Sequence, residues 1–394
     1  MICITDYALN YQAAIMTGNR ADTRYCVLFS DFMEEIKITC VVGARPNFIK
    51  IAAILREFGR RHRFHTWLIH TGQHFSPEMS ASFFDDLSIQ KPDLNLDIGP
   101  GSPTVQTAEM MKGLETALTS ERPDLVLVVG DVNSTLAAAL VAPKLGIPLA
   151  HVEAGLRSFD RTMPEEINRI MTDAVSDYLF VSERTGLENL RAEGVPDSKV
   201  FFTGNVMIDT LLTFRDRAMQ SDILGRIGIT AHEYALVTLH RPSNVDDPER
   251  LAALADMLIR LSERLPVVFP VHPRTRQRLP EMSAAANLKL VPPAGYLDFL
   301  KLMSDAAIVL TDSGGIQEET TILGTPCITV RENTERPVTI EQGTNHLAGV
   351  DPERVLNIAL ELLACPPATN RTPELWDGRA SQRIADVLEA HLSQ

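Results

Sequence analysis

Acids at three points in the first half of the chain carry the strongest chemical signal. Asp131 closes the apolar run of "DLVLVVG" in "VVGDVNST", Glu153 closes the next run in "AHVEAGLRS", and Glu165 and Glu166 open a helical pattern in "MPEEINR". One acid at a helix start is ordinarily a cap or a dipole partner. Three arriving from successive strand-to-helix connections would crowd a cleft and shift one another's pKa values, which suits removing and returning a proton. A different chemistry is written in "VLTDSGGIQEETTILGTPCITV" (309–330), where an apolar run ends in Asp312-Ser313-Gly314-Gly315 and a helix is expected from about Gly315. Glycines let backbone amides approach phosphate oxygens at a helix N-terminus, and the Ser313 hydroxyl can donate beside them. Glu318 and Glu319 point about 100° apart on that helix. One of them is expected to face the ligand, where a ribose diol would suit its carboxylate.

Weaker signals fall at other strand ends. Gly43-Ala44-Arg45-Pro46-Asn47 follows the first strand, with Lys50 one turn into the helix, so free amides and two cations face the same way. His240 with Arg241, and His272 with Arg274, stand at consecutive strand ends of the second half. The histidines lack the spacing of a metal site, and no G-x-S-x-G elbow surrounds a serine. No metal is expected.

These residues need strands to hold them at one edge. Near-continuous apolar runs at 36–42, 66–70, 124–130, 148–153, 178–182 and 200–204 alternate with helical patterns such as 47–58 and 133–146. The alternation restarts at 234–240, 266–272, 288–292, 306–312 and 326–330. Apolar strands separated by helices predict an α/β fold with parallel sheets covered on both faces. The expected architecture is two doubly wound Rossmann-like domains facing a cleft, with a ligand at the carboxyl ends of the strands. Residues 206–233 read as polar and irregular, which puts the boundary near 206: a first domain over 36–205, a second over 206–373, and a helix within 374–394 packing back on the first. Residues 1–35 fit neither series and read as a peripheral extension, with Met33 a plausible true start.

Composition sets the outer bounds. With 394 residues and 45% hydrophobic content the chain can fill two cores, and a formal net charge of −14 argues against nucleic-acid or acidic-membrane affinity. Five scattered cysteines, no secretory pattern and no apolar run of roughly 18 residues point to the cytoplasm.

Taken together, "GARPNFIK", "HTGQH", "GDVNST", "HVEAGLRSFDRTMPEEINR", "TLHRPSNV", "DSGGIQEE" and "RENTERPVT" resemble the non-hydrolysing UDP-N-acetylglucosamine 2-epimerases, in order over about residues 36 to 365. The resemblance implies a fold of the glycosyltransferase-B type. It implies catalytic roles for Asp131, Glu153 and Glu165, with His240 contacting substrate. Ser313, Gly314 and Gly315 would hold the diphosphate, Glu319 the ribose, Arg336 of "TERP" the phosphate charge, and Phe299 of "GYLDFL" the uracil. Arg45, Lys50 and His272 would complete the substrate-binding set, and Gln73-His74 matches part of a Q-H-R-like activator run. The implied reaction removes the C2 proton while UDP leaves C1; the glycal stays bound until UDP re-adds. It needs no cofactor, and the family commonly forms homodimers. The sequence departs from the family in "HRPSN", where many members have H-R-x-E-N, in Ala294, where some have glutamine, and in Phe75-Ser76 after Gln73-His74. Another UDP-2-acetamido sugar such as a 2,3-diacetamido uronate, a hydrolysing 2-epimerase, a glycosyltransferase of the same architecture and a nucleotide-sugar sensor remain as alternatives.

Overall fold

The computed structural model describes residues 35–72, 86–99, 101–271, 273–279, 286–365 and 371–392. Among them, β1 (Ile36–Val42), β2 (Phe64–His70), β3 (Leu94–Asn95), β4 (Leu125–Val129), β5 (Leu149–Ala154), β6 (Tyr178–Val181) and β7 (Val200–Phe202) form a seven-stranded sheet in the order β3-β2-β1-β4-β5-β6-β7. A six-stranded sheet follows, made of β8 (Ala235–Thr238), β9 (Val267–Pro270), β10 (Leu288–Val291), β11 (Ile308–Thr311), β12 (Cys327–Thr329) and β13 (Asn345–Leu347), in the order β10-β9-β8-β11-β12-β13. Their pairings are parallel. The strand order reverses between β1 and β4 in one sheet and between β8 and β11 in the other, and crevices form at such switch points. The glycine turn after β1, Asp131 after β4, His240 after β8 and Asp312 after β11 flank those two points. These are two Rossmann-like domains.

The helices that build the site are α1 (Arg45–Arg60), α2 (Asn133–Val141), α3 (Pro164–Val175), α4 (Val206–Ala218), α5 (Tyr296–Ser304), α6 (Gly314–Leu323) and α7 (Ala380–Leu392). Two expectations are corrected. The helix expected over 133–146 stops at Val141, because Pro143 has no N–H to continue it and opens a short 3-10 turn instead. The segment expected to be irregular, 206–233, contains α4 and a short helix over Ile223–Ile227. Two of its polar residues are buried connectors: Asp209 accepts from Ala380 N at 3.1 Å and Ser381 N at 2.7 Å, and Thr210 donates to Ile49 O at 2.7 Å.

One apolar cluster runs from the first sheet through α4 to the second. The chain passes between the sheets twice. The first crossing is at Gly204, with φ 86°, where a β-carbon would overlap the Leu375 carbonyl. The second is the segment around Leu375, itself at φ 60°, anchored by the Trp376 indole donating to Ser182 O at 2.9 Å. Beyond it, α7 lies along α1, where Arg61 donates to Asp386 Oδ1 at 2.7 Å and Glu389 Oε2 at 3.1 Å.

Candidate active site

The turn after β1 is fixed by Asn47, whose Oδ1 accepts from Gly43 N and Ala44 N at 3.2 and 3.1 Å while its Nδ2 donates to Val129 O at 2.8 Å. Gly43 must be glycine, because a β-carbon would overlap the Ser134 and Thr71 hydroxyls of two neighbouring turns. This close approach brings Lys50 of α1 beneath the ends of β4 and β5, where it pairs with Glu153. The β5–β6 register shifts between Val152 and Ala154, and Glu153 sits at that bulge with φ 76°. A residue with a β-carbon pays about 1 kcal/mol for left-handed backbone, and bulges re-aim side chains next to functional sites. The result is a carboxylate only 6% exposed between Lys50 of its own domain and Arg336 of the other.

Asp131 bonds Arg169 Nη1 at 2.5 Å. Burial would raise its pKa, but Arg169, then Lys50 and Arg336, outweigh that and hold it below the ordinary value. Asp131 and Glu153 therefore share one set of cations. The adjacent acids of α3 are differently employed. Buried Glu166 accepts from Ser158 N at 3.0 Å, Phe159 N at 2.9 Å and Arg169 Nη2 at 2.5 Å, which fixes the loop behind β5. Glu165 is half-buried and, among the described residues, has no hydrogen-bond partner; its charge reaches Arg241 of the second domain. Below them His151 faces two oxygen acceptors, Asp173 Oδ1 at 2.6 Å and Gly130 O at 2.9 Å.

Across the cleft, Asp312 is fully buried and collects the loop after β8. It accepts from Arg241 N at 2.9 Å, Asn244 Nδ2 at 3.0 Å and His240 Nδ1 at 2.8 Å, and leaves the His240 side chain 62% exposed. Burial pushes its pKa up, and His240 with these donors brings it below the usual value. Ser313 occupies the N-cap of α6, which begins at Gly314 rather than Gly315, and its side chain makes no cap bond. The helix end therefore keeps donors for an anion. Arg336 lies against it: a β-carbon at Gly314 would overlap the guanidinium. Three carboxylates surround Arg336, namely Glu153, Glu318 at 2.8 Å and Glu335 at 2.5 Å. Glu335 also accepts from Arg331 at 2.7 Å; burial opposes its ionisation, but Arg336, Arg331 and Arg169 hold its pKa well below the ordinary range. Burial pushes Glu318 up to about 7 and Glu319 up to about 8. Glu319 accepts from Tyr296 Oη at 3.0 Å, and Phe299 stands one turn further along α5, half-buried.

A family model described as UDP-N-acetylglucosamine 2-epimerase matches residues 56–389. The chain belongs to this family. It is 44% identical to the UDP-N-acetylglucosamine 2-epimerase of Methanococcus maripaludis over 363 residues, 89% of this chain and 98% of that relative. It is 40% identical over 358 residues to the UDP-2,3-diacetamido-2,3-dideoxy-D-glucuronate 2-epimerase of Pseudomonas aeruginosa, covering 90% of this chain and 99% of the relative. The crystal structure of the Methanocaldococcus jannaschii epimerase in complex with UDP-GlcNAc and UDP superposes with TM-score 0.84 at 40% identity, covering 90% of this chain and all of that one.

Within this epimerase, Asp131, Glu153, Lys50 and Arg336 come together around one charge network, and Ser313, Gly314 and Gly315 border it. Glu165 and His240 approach from the cleft walls, while Phe299 and Glu319 line a separate corner with Tyr296. Arg45 donates to Ala294 O at 3.3 Å, across the cleft. His272, Gln73 and His74 lie outside the described residues. Sequence reasoning missed Arg169, Asp312, Glu318 and Glu335 as parts of the network. Arg169 was signalled by its i,i+3 spacing from Glu166; Glu335 adjoined an arginine already singled out. Among the described residues no group of three or more His, Cys, Asp or Glu could hold a metal, and no helix is long and apolar enough to cross a membrane.

Proposed function

We propose that this epimerase interconverts UDP-N-acetylglucosamine and UDP-N-acetylmannosamine without net hydrolysis. The observation that carries the reading is the pairing of Glu153 with Arg336 across the cleft, at the uncapped N-terminus of α6. It joins a proton-transfer carboxylate to a leaving-group cation. A carboxylate takes the C2 proton, the C–H electrons form C1=C2, and the C1–O bond breaks with its electrons on UDP. Reversal with the proton delivered to the opposite face of C2 gives the epimer. Asp131, Glu153 and Glu165 supply the acids and the base.

Diphosphate oxygens arriving at α6 would take donors from Ser313 and the amides of Gly314 and Gly315, and would replace carboxylates around Arg336. Charge that grows on UDP as C1–O breaks is then met by Arg336, Lys50 and Arg45, so these cations act on the transition state as well as on binding. His240, held by Asp312, would contact substrate at the cleft mouth, and His272 is proposed as a further substrate contact. Phe299 would lie against uracil and Glu319 would exchange Tyr296 for the ribose diol. Burial of Glu153 and Arg336, at 6% and 4% side-chain exposure, supports retention of the glycal away from water.

A 2,3-diacetamido uronate is the second reading. It is favoured by Ser243, which stands where many family members carry glutamate and so removes one negative charge near an anionic sugar. Incubation of each UDP-sugar in D2O with NMR at C2 tests both. Deuterium at C2 of UDP-N-acetylmannosamine supports the first reading, exchange only with the uronate the second. Free sugar plus UDP would indicate a hydrolase, and no exchange with either would refute both. We further infer a homodimer in the cytoplasm, checked by light scattering, Gln73-His74 as an activator contact, and domain limits of 36–205 and 206–373 with 374–394 returning to the first.

A further inference from the structure

Helix α5 carries Phe299, assigned above to uracil, and Tyr296, which holds the ribose-facing Glu319 of α6, yet it has no cap of its own. Its N-cap is Gly295, which offers no side chain. The acceptor comes from the other domain. Asp86 Oδ2 accepts from Tyr296 N at 3.0 Å, and the nearby Leu297 amide also favours its charged form. Arg217 of α4 donates to Asp86 O at 3.2 Å and steadies that residue. Gly295 is what admits the contact: a β-carbon there would stand 2.7 Å from Asp86 Oδ2. One residue earlier, Arg45 grips the Ala294 carbonyl at 3.3 Å, again from the first domain. A donor and an acceptor of one domain thus hold Ala294 and Tyr296 of the other, on either side of Gly295. These residues set the origin of α5.

We propose that Asp86 is a positioning residue of the nucleoside subsite, capping α5 from the opposite domain so that the closed cleft presents Phe299 to uracil and keeps Tyr296 against Glu319 until the ribose diol takes its place. The inference rests on the epimerase reading and adds to it a residue that touches no substrate. Its contribution is coupled to closure, because Asp86 reaches the helix only when the domains meet. Loss of Asp86 therefore weakens nucleotide binding, while the reacting acids stay where they are.

The test is UDP affinity by calorimetry together with KM and kcat. An N-cap is worth about 1 kcal/mol, which is about 5-fold in affinity. Asp86→Ala is expected to raise the UDP Kd and the KM about 5-fold and to leave kcat within about 2-fold. Asp86→Asn keeps an acceptor and is expected to stay near wild type, which a generally destabilising change would not. Gly295→Ala is expected to raise Kd in the wild-type background and to change it far less in Asp86→Ala, where the atom it would strike is gone. That non-additivity is read among folded proteins and does not depend on any single variant. Wild type binding UDP with Asp86→Ala within 2-fold of it, or Gly295→Ala costing the same in both backgrounds, would overturn the proposal alone. Wild type binding no UDP would overturn the epimerase reading and this proposal with it.

Discussion

The pairing of Lys50 with Glu153 makes a quantitative prediction about stability that is separate from catalysis. In Glu153→Gln the side chain keeps its shape and its left-handed backbone, so strain is unchanged and only charge is removed. Arg336 retains Glu318 and Glu335, but buried Lys50 loses its salt-bridge partner and keeps only the more distant charges of Asp131 and Glu318. Removing one partner of a buried pair costs about 3–5 kcal/mol, because the other charge is left without compensation. For a domain of about 150–250 residues each kcal/mol moves the melting temperature by roughly 2–4 °C, so a fall of about 10 °C is expected. Lys50→Met alone should cost less, since Glu153 keeps Arg336. The double variant Lys50→Met/Glu153→Gln should melt above Glu153→Gln, because the buried ammonium without a salt-bridge partner is gone. Differential scanning calorimetry at two salt concentrations is the assay, and salt should leave the differences nearly unchanged, since buried charges are poorly screened. A double variant no more stable than Glu153→Gln, or Glu153→Gln melting within about 2 °C of wild type, would refute the reasoning.

Three further outcomes follow from the site. Asp131→Asn should abolish C2 exchange in D2O while UDP affinity, measured by calorimetry, stays near wild type; parallel loss of both would undo the division between proton transfer and nucleotide binding. Glu165→Gln should lose turnover without a fall in melting temperature, whereas Glu166→Gln should lower it by several degrees, because Glu166 holds two amides and Arg169. Glu183, raised to about 8 by burial, is protonated in the folded chain when its unfolded counterpart, near 4.5, is already ionised. Its contribution is full below pH 4.5 and is lost as pH rises through about 8, so Glu183→Gln should flatten the decline in melting temperature between pH 5 and 8. An unchanged slope would contradict this.

Long apolar strands were legible because β4 and β5 are buried on every residue, β4 as an uninterrupted hydrophobic run and β5 broken only by His151 and Glu153. β3 and β13, of two and three residues, carry too little pattern to be read. α4 was misread for the opposite reason: Asp209 and Thr210 lie on its buried face because their partners come from remote parts of the chain. In the site, the acids at strand ends stood out, since position alone marks them. Their counter-charges did not. Arg336 was assigned to phosphate from its motif, yet its three acidic neighbours come from β5, α6 and the residue beside it, a meeting that only the closed fold creates. The trans cap from Asp86 is likewise invisible in sequence, where 209 positions separate it from Gly295 (295 − 86).

The double passage of the chain at Gly204 and Leu375 has a mechanical meaning. A single covalent bridge lets two bodies swing and twist about any axis. Two bridges side by side define a line, and rotation about that line is the freedom they leave. The two walls of the cleft then part and meet along one arc, like a door on two pins. A nucleotide cut loose on one wall returns to the sugar on the other at the same angle from which it left.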